Sequence, residues 1–462
     1  MPSVPPFHIA YIFERFPSFT QTFCVREIQE LQRQGVRPLI FSIRDTHDEG
    51  IQHFPPDLFE QVHFLPPKDE LTAKVREWKD AHQLPRAAGL CLRHWGDMPD
   101  KSRIYEAAYI AKIMADLGSA APRHAHSHFA GIGARTCWWL RKFTGTSYSF
   151  TAHANDIFCK PGEQSPPFDR LFTDAALIVT VSDYTARQLR QQYPQAASRV
   201  QRVYNGLDLA PITAARSATD RKTAPGGILS VGRLIEKKGY EDLINACSFL
   251  RDWGVDFQCR IVGEGPLEAS LKAQITRLHL AHNVELTGPL GIDDITQRLV
   301  AQTQVFALAC ATESDGGKDN LPTVLMEAMA ASLPCVSTRI AGVPEMVLEN
   351  RTGLLCDERQ PELFAAHLAQ LLKDPKLCEK MGSAGLEHAR EHFALEKTAK
   401  HLLTQFAEHG GLRIDLGLLR RHPELLRHWA RRLPKTFSAQ LRHRPTKMSS
   451  KSFDLAAFIQ RR

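Results

Sequence analysis

The chain has 462 residues, 43% of them hydrophobic and 24% charged, which is more than one comfortable hydrophobic core and excludes disorder of the whole chain. Its formal net charge is +7, yet residues 411–462 hold 13 Lys+Arg against 3 Asp+Glu, so the first 410 residues are slightly acidic. The basicity is a property of the tail, which argues against a nucleic-acid-binding body.

In chain order, residues 8–13 predict a strand, 20–34 a helix closed by Gly35, and 36–43 a second strand. Apolar runs at 124–129, 147–151 and 177–181 predict further strands, with helices at 131–143 and 183–192 between them. Strand, helix, strand in this order implies parallel pairing through right-handed crossovers. The stretch 211–226 is rich in Thr, Ala, Ser, Pro and Gly, shows no apolar period, and reads as a linker. Beyond it the pattern restarts, with strands at 227–231, 258–262, 284–287, 304–308 and 335–338 and helices at 240–253, 266–278 and 322–331. The expectation is an α/β chain of two doubly wound domains, 1–210 and 227–390, joined by the 211–226 linker. A helix at 391–410 is expected to pack back toward the first domain, followed by a basic helical tail at 411–462. Ligands of such sheets bind beyond the carboxyl ends of the strands, and a cleft between two domains is the default site.

The ten cysteines contain no Cys-x-x-Cys pair and several lie in apolar runs, which favours reduced, buried thiols over zinc or disulfides. Residues 1–7 lack a basic start and a long apolar stretch, and no window of about 18 uninterrupted apolar residues occurs. Cytoplasmic placement is expected, with any membrane contact made from the surface.

The segment 228–239 runs from a strand into a glycine turn and then a helix. Gly232 lets the backbone turn closely, Arg233 and Lys238 stand on the loop, and Gly239 opens a helix whose N–H groups favour an anion. Two cations at a strand's carboxyl end suit a diphosphate; a pair of solvated loop charges is the plainer alternative. In the segment 319–330, Asp319 and Glu327 stand eight residues apart around a helix start. Pro322 suits the first turn and leaves the N–H groups of Thr323 and Val324 free for a ligand oxygen. Asp319 can reach sugar hydroxyls or act as a helix cap. Glu327, on an otherwise apolar helix, needs a partner, either a ribose or a neighbouring cation.

The pairing of Gly-Arg-Leu…Lys-Lys-Gly with an acid-x7-Glu box and Ala-Met-Ala resembles the retaining family 4 glycosyltransferases over roughly residues 7–405. The N-terminal segments 16–23, 26–31, 126–130 and 150–158 resemble the subgroup that builds bacterial exopolysaccharides, including colanic-acid enzymes. The resemblance implies two facing Rossmann-like domains and a metal-independent hexosyltransferase that works with retention. No cofactor is implied beyond the nucleotide-diphosphate sugar, and the acceptor would be a saccharide or polyprenyl-linked saccharide. It further implies that Arg233 and Lys238 neutralise the diphosphate, that Glu327 holds the ribose, and that Asp319 contacts the transferred sugar. Gly232, Gly263, Asn320, Leu321, Thr323 and Val324 would line the donor site. His153 would face the reacting sugar, with Phe19, Thr20, His126 and His128 on the acceptor side. One departure matters: the first acid of the box is commonly Glu and is Asp319 here.

Among weaker signals, His124, His126 and His128 share one strand face and invite a metal, although the resemblance places the last two near the cleft, where contacts to acceptor or to the interdomain wall suit them better. The run 262–266 lacks the third glycine of a dinucleotide fingerprint and reads as a loop lining the nucleotide end of the pocket. In the tail, Leu425, Leu426, Trp429 and Leu433 alternate with Arg420, Arg421, Arg427, Arg431 and Arg432, as in a helix lying on anionic lipid or packed on the body. The competing functional classes are a sugar-nucleotide epimerase of similar architecture and a non-catalytic nucleotide-sugar binder.

Overall fold

The computed structural model describes residues 7–18, 21–49, 54–95, 100–158, 168–218 and 226–426. Runs of three to seven residues, most of them apolar and buried, form two parallel sheets. The first contains β1 (Ile9–Arg15), β2 (Pro38–Arg44), β3 (Val62–Phe64), β4 (His124–His128), β5 (Ser147–Ala152), β6 (Leu177–Thr180) and β7 (Val200–Arg202) in the order β3-β2-β1-β4-β5-β6-β7. The second contains β8 (Gly227–Val231), β9 (Gln258–Val262), β10 (Val284–Gly288), β11 (Val305–Leu308), β12 (Cys335–Thr338) and β13 (Gly353–Cys356) in the order β10-β9-β8-β11-β12-β13. Both are doubly wound, with the strand order reversing beside β1 and beside β8, so the loops after these strands open at a switch point. Three strands were not announced by the sequence. β3, β7 and β13 are three to four residues long, too short for a period to be read.

The helices that position the site follow from local signals. α1 (Thr22–Arg33) buries Cys24, Val25, Ile28 and Leu31 on one face. It ends as expected at Gly35, whose φ of +92° allows Val36 N–H to reach back to the Leu31 carbonyl at 2.9 Å. α2 (Ile132–Thr144), α3 (Ala154–Phe158) and α4 (Asp183–Gln192) follow β4, β5 and β6, and the Ser182 hydroxyl caps α4 by accepting from Thr185 N–H. The expected linker is not wholly irregular. α5 (Ala210–Ala218) occupies much of it and buries Ile212, a single apolar anchor that leaves no repeating pattern to read.

In the second half, α6 (Tyr240–Asp252) follows β8, α7 (Thr323–Ala330) follows β11, and α8 (Val343–Met346) follows β12. After α9 (Pro375–His392) the chain crosses back beside residue 207, with Leu207 N–H bonded to the Phe393 carbonyl at 2.8 Å and Leu395 N–H to the Leu207 carbonyl at 3.0 Å. α10 (Leu395–Gln405) then packs on α1, placing Ala399, Leu402 and Leu403 in the same core as Ile9, Tyr11 and Ile28.

The start of the tail belongs to that core as well. Leu412, Leu418, Leu419 and Leu425 are buried there, and α11 (Leu416–Arg421) is capped by Asp415, which also pairs with Arg37 at 2.6 Å and His8 at 3.0 Å. Of the two expected placements, Leu425 takes the one packed on the body, its apolar surface buried against the first sheet; Leu426 packs on the same cluster. Arg421 donates to the Arg33 carbonyl at 3.0 Å. Arg427, Trp429, Arg431, Arg432 and Leu433 lie outside the described residues. Among the described residues, no helix is long and apolar enough to cross a membrane.

Candidate active site

At the end of β8 the backbone turns at Gly232 (φ +154°), and the loop is zipped to the loop after β9: Gly232 N–H reaches the Val262 carbonyl at 2.9 Å and Leu234 N–H the Glu264 carbonyl at 2.8 Å. A Cβ on Gly263 would lie 2.0 Å from the Gly232 carbonyl oxygen, so glycine is required for this approach. Gly239 sits in the left-handed region, where a Cβ would lie 1.6 Å from the Ala309 carbonyl oxygen; its absence lets Lys238 swing against the end of β11. Arg233 is exposed, whereas Lys238 is largely buried with its Nζ 2.6 Å from Asp319 Oδ2. Burial works against the lysine's charge, but Asp319 outweighs it and holds the ammonium above its ordinary pKa. Asp319 is thus neither a helix cap nor a free carboxylate. It is the partner of Lys238.

α7 begins at Thr323 with Pro322 as its cap residue, one position earlier than a first-turn proline, and the cap makes no side-chain hydrogen bond to the helix. Leu321 is buried, while Thr323 and Val324 are half-buried at the helix entrance. The Asn320 side chain is turned toward the first half. Its side chain meets Ser182 Oγ at 2.7 Å and Thr185 Oγ1 at 3.3 Å in the first half, which leaves only its backbone for the ligand role expected of it. Glu327 is half-buried, and burial raises its pKa against the opposing pull of Arg26 and Lys238. Arg26 comes from α1 in the other half of the chain. Burial lowers its pKa, Glu327 and Asp208 oppose that, and its buried Nε has no hydrogen-bond partner. Lys238, Asp319, Glu327 and Arg26 therefore form one charged cluster fed by both halves.

His153 follows β5. Its N–H is held by Asp156 Oδ2 at 2.8 Å, and its ring lies against Phe23, Phe129 and His128 with centroid separations of 4.9, 4.4 and 5.4 Å. Burial takes the Asp156 carboxyl up to about 6. His126 is enclosed in the layer beside β5. It is fully buried, with Nδ1 bonded to Ser149 Oγ at 2.7 Å and Nε2 to Thr151 Oγ1 at 3.1 Å, because alternate residues of β4 face the packed layer beside β5. His128 is also buried, contacting His153 Nε2 at 3.2 Å and Glu27 Oε1 at 3.1 Å. Glu27, His126 and His128 offer ligand atoms within 4.8 Å of one another, but both nitrogens of each ring are already engaged in the hydrogen bonds just given. Phe19 and Thr20 lie outside the described residues.

Two groups of residues were missed by the sequence reading. Arg26 and Glu27 stand side by side in the segment 26–31, but only the fold shows that Arg26 acts electrostatically on Glu327 while Glu27 meets His128. Glu345, on α8, accepts from the N–H groups of Asp183 and Tyr184 at 2.7 Å each and from the Tyr204 hydroxyl at 3.1 Å, capping α4 across the domain boundary. Separately, a cavity of about 810 Å³ opens beyond β2 and β3, with Arg44, Lys68, Arg76, Lys101 and Arg103 among its lining residues; it contains none of the charged cluster.

Residues 212–388 match the family described as Glycosyl transferases group 1, and residues 20–211 match Glycosyltransferase Family 4. A putative colanic acid biosynthesis glycosyltransferase, WcaL, of Salmonella typhimurium is 33% identical over 370 residues, covering 78% of this chain and 90% of that protein. The amylovoran biosynthesis glycosyltransferase AmsK of Erwinia amylovora is 34% identical over 249 residues, 53% of this chain and 60% of that protein. In fold, the chain is similar to a glycosyltransferase of Rickettsia africae (TM-score 0.67, 16% identity, 88% of this chain and 99% of that one). It is also similar to Anabaena HepE in complex with UDP (TM-score 0.60, 16% identity, 87% of this chain and 100% of that one).

Proposed function

This chain belongs to the glycosyl transferases group 1 family, with homologues in exopolysaccharide biosynthesis, and on that premise we propose that it transfers a hexose from a nucleoside-diphosphate sugar with retention and without a metal. The observation that carries this reading is the charged cluster: Lys238 pairs with Asp319 at the end of β8, and the charges of Lys238 and, from the other half, Arg26 act on Glu327. Arg233 and Lys238 neutralise the diphosphate, Glu327 takes the ribose hydroxyls, and the unpaired N–H groups at the start of α7 meet a phosphate or sugar oxygen. Asp319 shifts from Lys238 to a sugar hydroxyl as the diphosphate takes its place, and His153 contacts the sugar from the first half.

In the reaction the bond between the anomeric carbon and the leaving phosphate oxygen breaks through an oxocarbenium-like state, and an acceptor hydroxyl attacks on the same face, its proton passing to the departing phosphate oxygen. Charge building on the leaving diphosphate is what must be stabilised, and fixed cations in a water-poor cleft do this at no cost of reorganisation. The acceptor is a saccharide or a polyprenyl-linked saccharide entering over the first sheet, and the basic tail associates with an anionic membrane surface.

A thermal-shift screen of nucleoside diphosphates, with UDP and GDP as first probes, tests donor binding, since a ligand specific to the folded state raises its stability. Transfer in excess chelator, with the product anomer assigned by NMR, tests the rest. An inverted anomer or a strict metal requirement overturns the mechanism, and donor epimerised in the absence of acceptor assigns the chain to another reaction.

A further inference from the structure

A chain of three side chains runs beneath the first-half wall of the site. Glu27 Oε1 accepts from the Tyr11 hydroxyl at 2.8 Å and lies 3.1 Å from His128 Nε2; His128 Nδ1 lies 3.2 Å from His153 Nε2. His128 is buried, and His153 keeps only 8% of its surface exposed. We infer that Glu27 and His128 are positioning residues that fix the tautomer of His153, so that its ring presents an Nδ1–H donor to the reacting sugar. The inference rests on the reading of His153 as the residue that meets the sugar.

The hydrogen-bond inventory narrows the arrangement. An ionised Glu27 can only accept, so His128 Nε2 carries a proton. The contact between His128 Nδ1 and His153 Nε2 then runs one of two ways: a neutral His128 accepts from His153, or an imidazolium His128 donates to it. The groups facing His128 decide between them. These are Cys24 and Glu27 from α1, His126 on its own strand and His153 after β5. Burial opposes a charge on His128, but the Cys24 sulfur and the Glu27 carboxylate bonded to it hold its pKa above the ordinary histidine range, while burial and the neighbouring His128 hold His153 well below that range. A charged His128 donating to a neutral His153 is the consistent state. His153 Nε2 is then an acceptor, and Nδ1 bears the remaining proton. Donation from Nδ1 stabilises negative charge or a hydroxyl oxygen on the sugar side. A ring free to choose its tautomer would spend part of its time presenting a lone pair there instead.

The test uses the full-length protein with ¹⁵N-labelled histidine. Long-range proton–nitrogen spectra at pH 7.5 are expected to show both His128 nitrogens protonated and His153 as the neutral Nδ1–H tautomer; an Nε2–H tautomer at His153 in the wild type overturns the inference without any variant. In Glu27→Gln, His128 should lose its charge, the His153 spectrum should move toward Nε2–H, and kcat should fall about tenfold with donor KM little changed. The pH profile of kcat should also acquire a step in the ordinary histidine range. A Glu27→Gln protein with wild-type spectra, rate and profile, measured beside a His153→Ala protein that has lost transfer, sinks the positioning role alone. A His153→Ala protein that transfers at the wild-type rate removes His153 from the site and the inference with it, while diphosphate binding by Lys238 would stand.

Discussion

Lys238 Nζ and Asp319 Oδ2 lie 2.6 Å apart, so the cation expected to bind phosphate is neutralised, in the protein alone, by the acid expected to bind sugar. Donor binding must therefore redistribute this pair. Asp319→Asn removes the competitor, and we expect tighter binding of a free nucleoside diphosphate by calorimetry together with slower transfer. Weaker binding would make Asp319 a ligand of the nucleotide rather than a rival for Lys238. Lys238→Ala should cost on the order of a hundredfold in rate, the usual effect of removing one preorganised charge contact.

On the proposed reading, Glu327 sets a pH limit on donor affinity. Burial raises its pKa, and Arg26 and Lys238 act against that rise. A raised folded-state pKa means that the carboxylate takes up its proton at a higher pH on acidification than an ordinary glutamate would. Donor KM should accordingly climb above the normal carboxylate range as pH falls, and Arg26→Ala should move the climb to still higher pH. A midpoint unmoved by Arg26→Ala would break the link between the two halves.

Asp156 holds the N–H of His153 and titrates near pH 6. Its pKa is raised relative to the unfolded chain, so its favourable contribution to stability is fully present below about pH 4 and is lost as pH rises through about 6. Compared with Asp156→Asn, the wild type should therefore gain thermal stability on acidification from pH 7 to pH 5. Parallel melting curves for the two proteins would remove Asp156 from this role.

Glu345 caps α4 from the other half of the molecule through the N–H groups of Asp183 and Tyr184. Glu345→Ala should leave those donors unpaired, costing about 1–2 kcal/mol of stability. It should also quicken amide exchange at Asp183 and Tyr184 while sparing the core of the first sheet. Uniform protection across both sites would show that the cap does not hold the halves together.

The membrane expectation now has a sharper boundary. Because Leu412, Leu418, Leu419 and Leu425 are part of the first core, deleting residues 412–462 would damage the fold, whereas deleting 427–462 removes charge and keeps these four leucines. The shorter deletion should weaken sedimentation with anionic vesicles and leave the melting temperature nearly unchanged. Equal sedimentation before and after deletion excludes the tail as a lipid contact.

By itself the sequence determined the two doubly wound sheets, the glycine-hinged loop bearing Arg233 and Lys238, and the start of α7 near Pro322. These depend on local periods and turn chemistry, which neighbouring residues fix between themselves. It did not disclose α5, whose lone buried Ile212 leaves no period, nor the fate of Leu425, whose helical spacing is compatible with lipid or protein. Tertiary structure alone decided who pairs with whom. Lys238 and Asp319 are 81 positions apart, His128 meets both Glu27 and His153, and Asn320 is turned to Ser182, because a side chain's partner is set by which strand ends the crossovers bring together. The same charges and imidazoles read one at a time suit several roles. Their burial beside particular neighbours, which fixes both protonation and hydrogen-bond direction, selects among them.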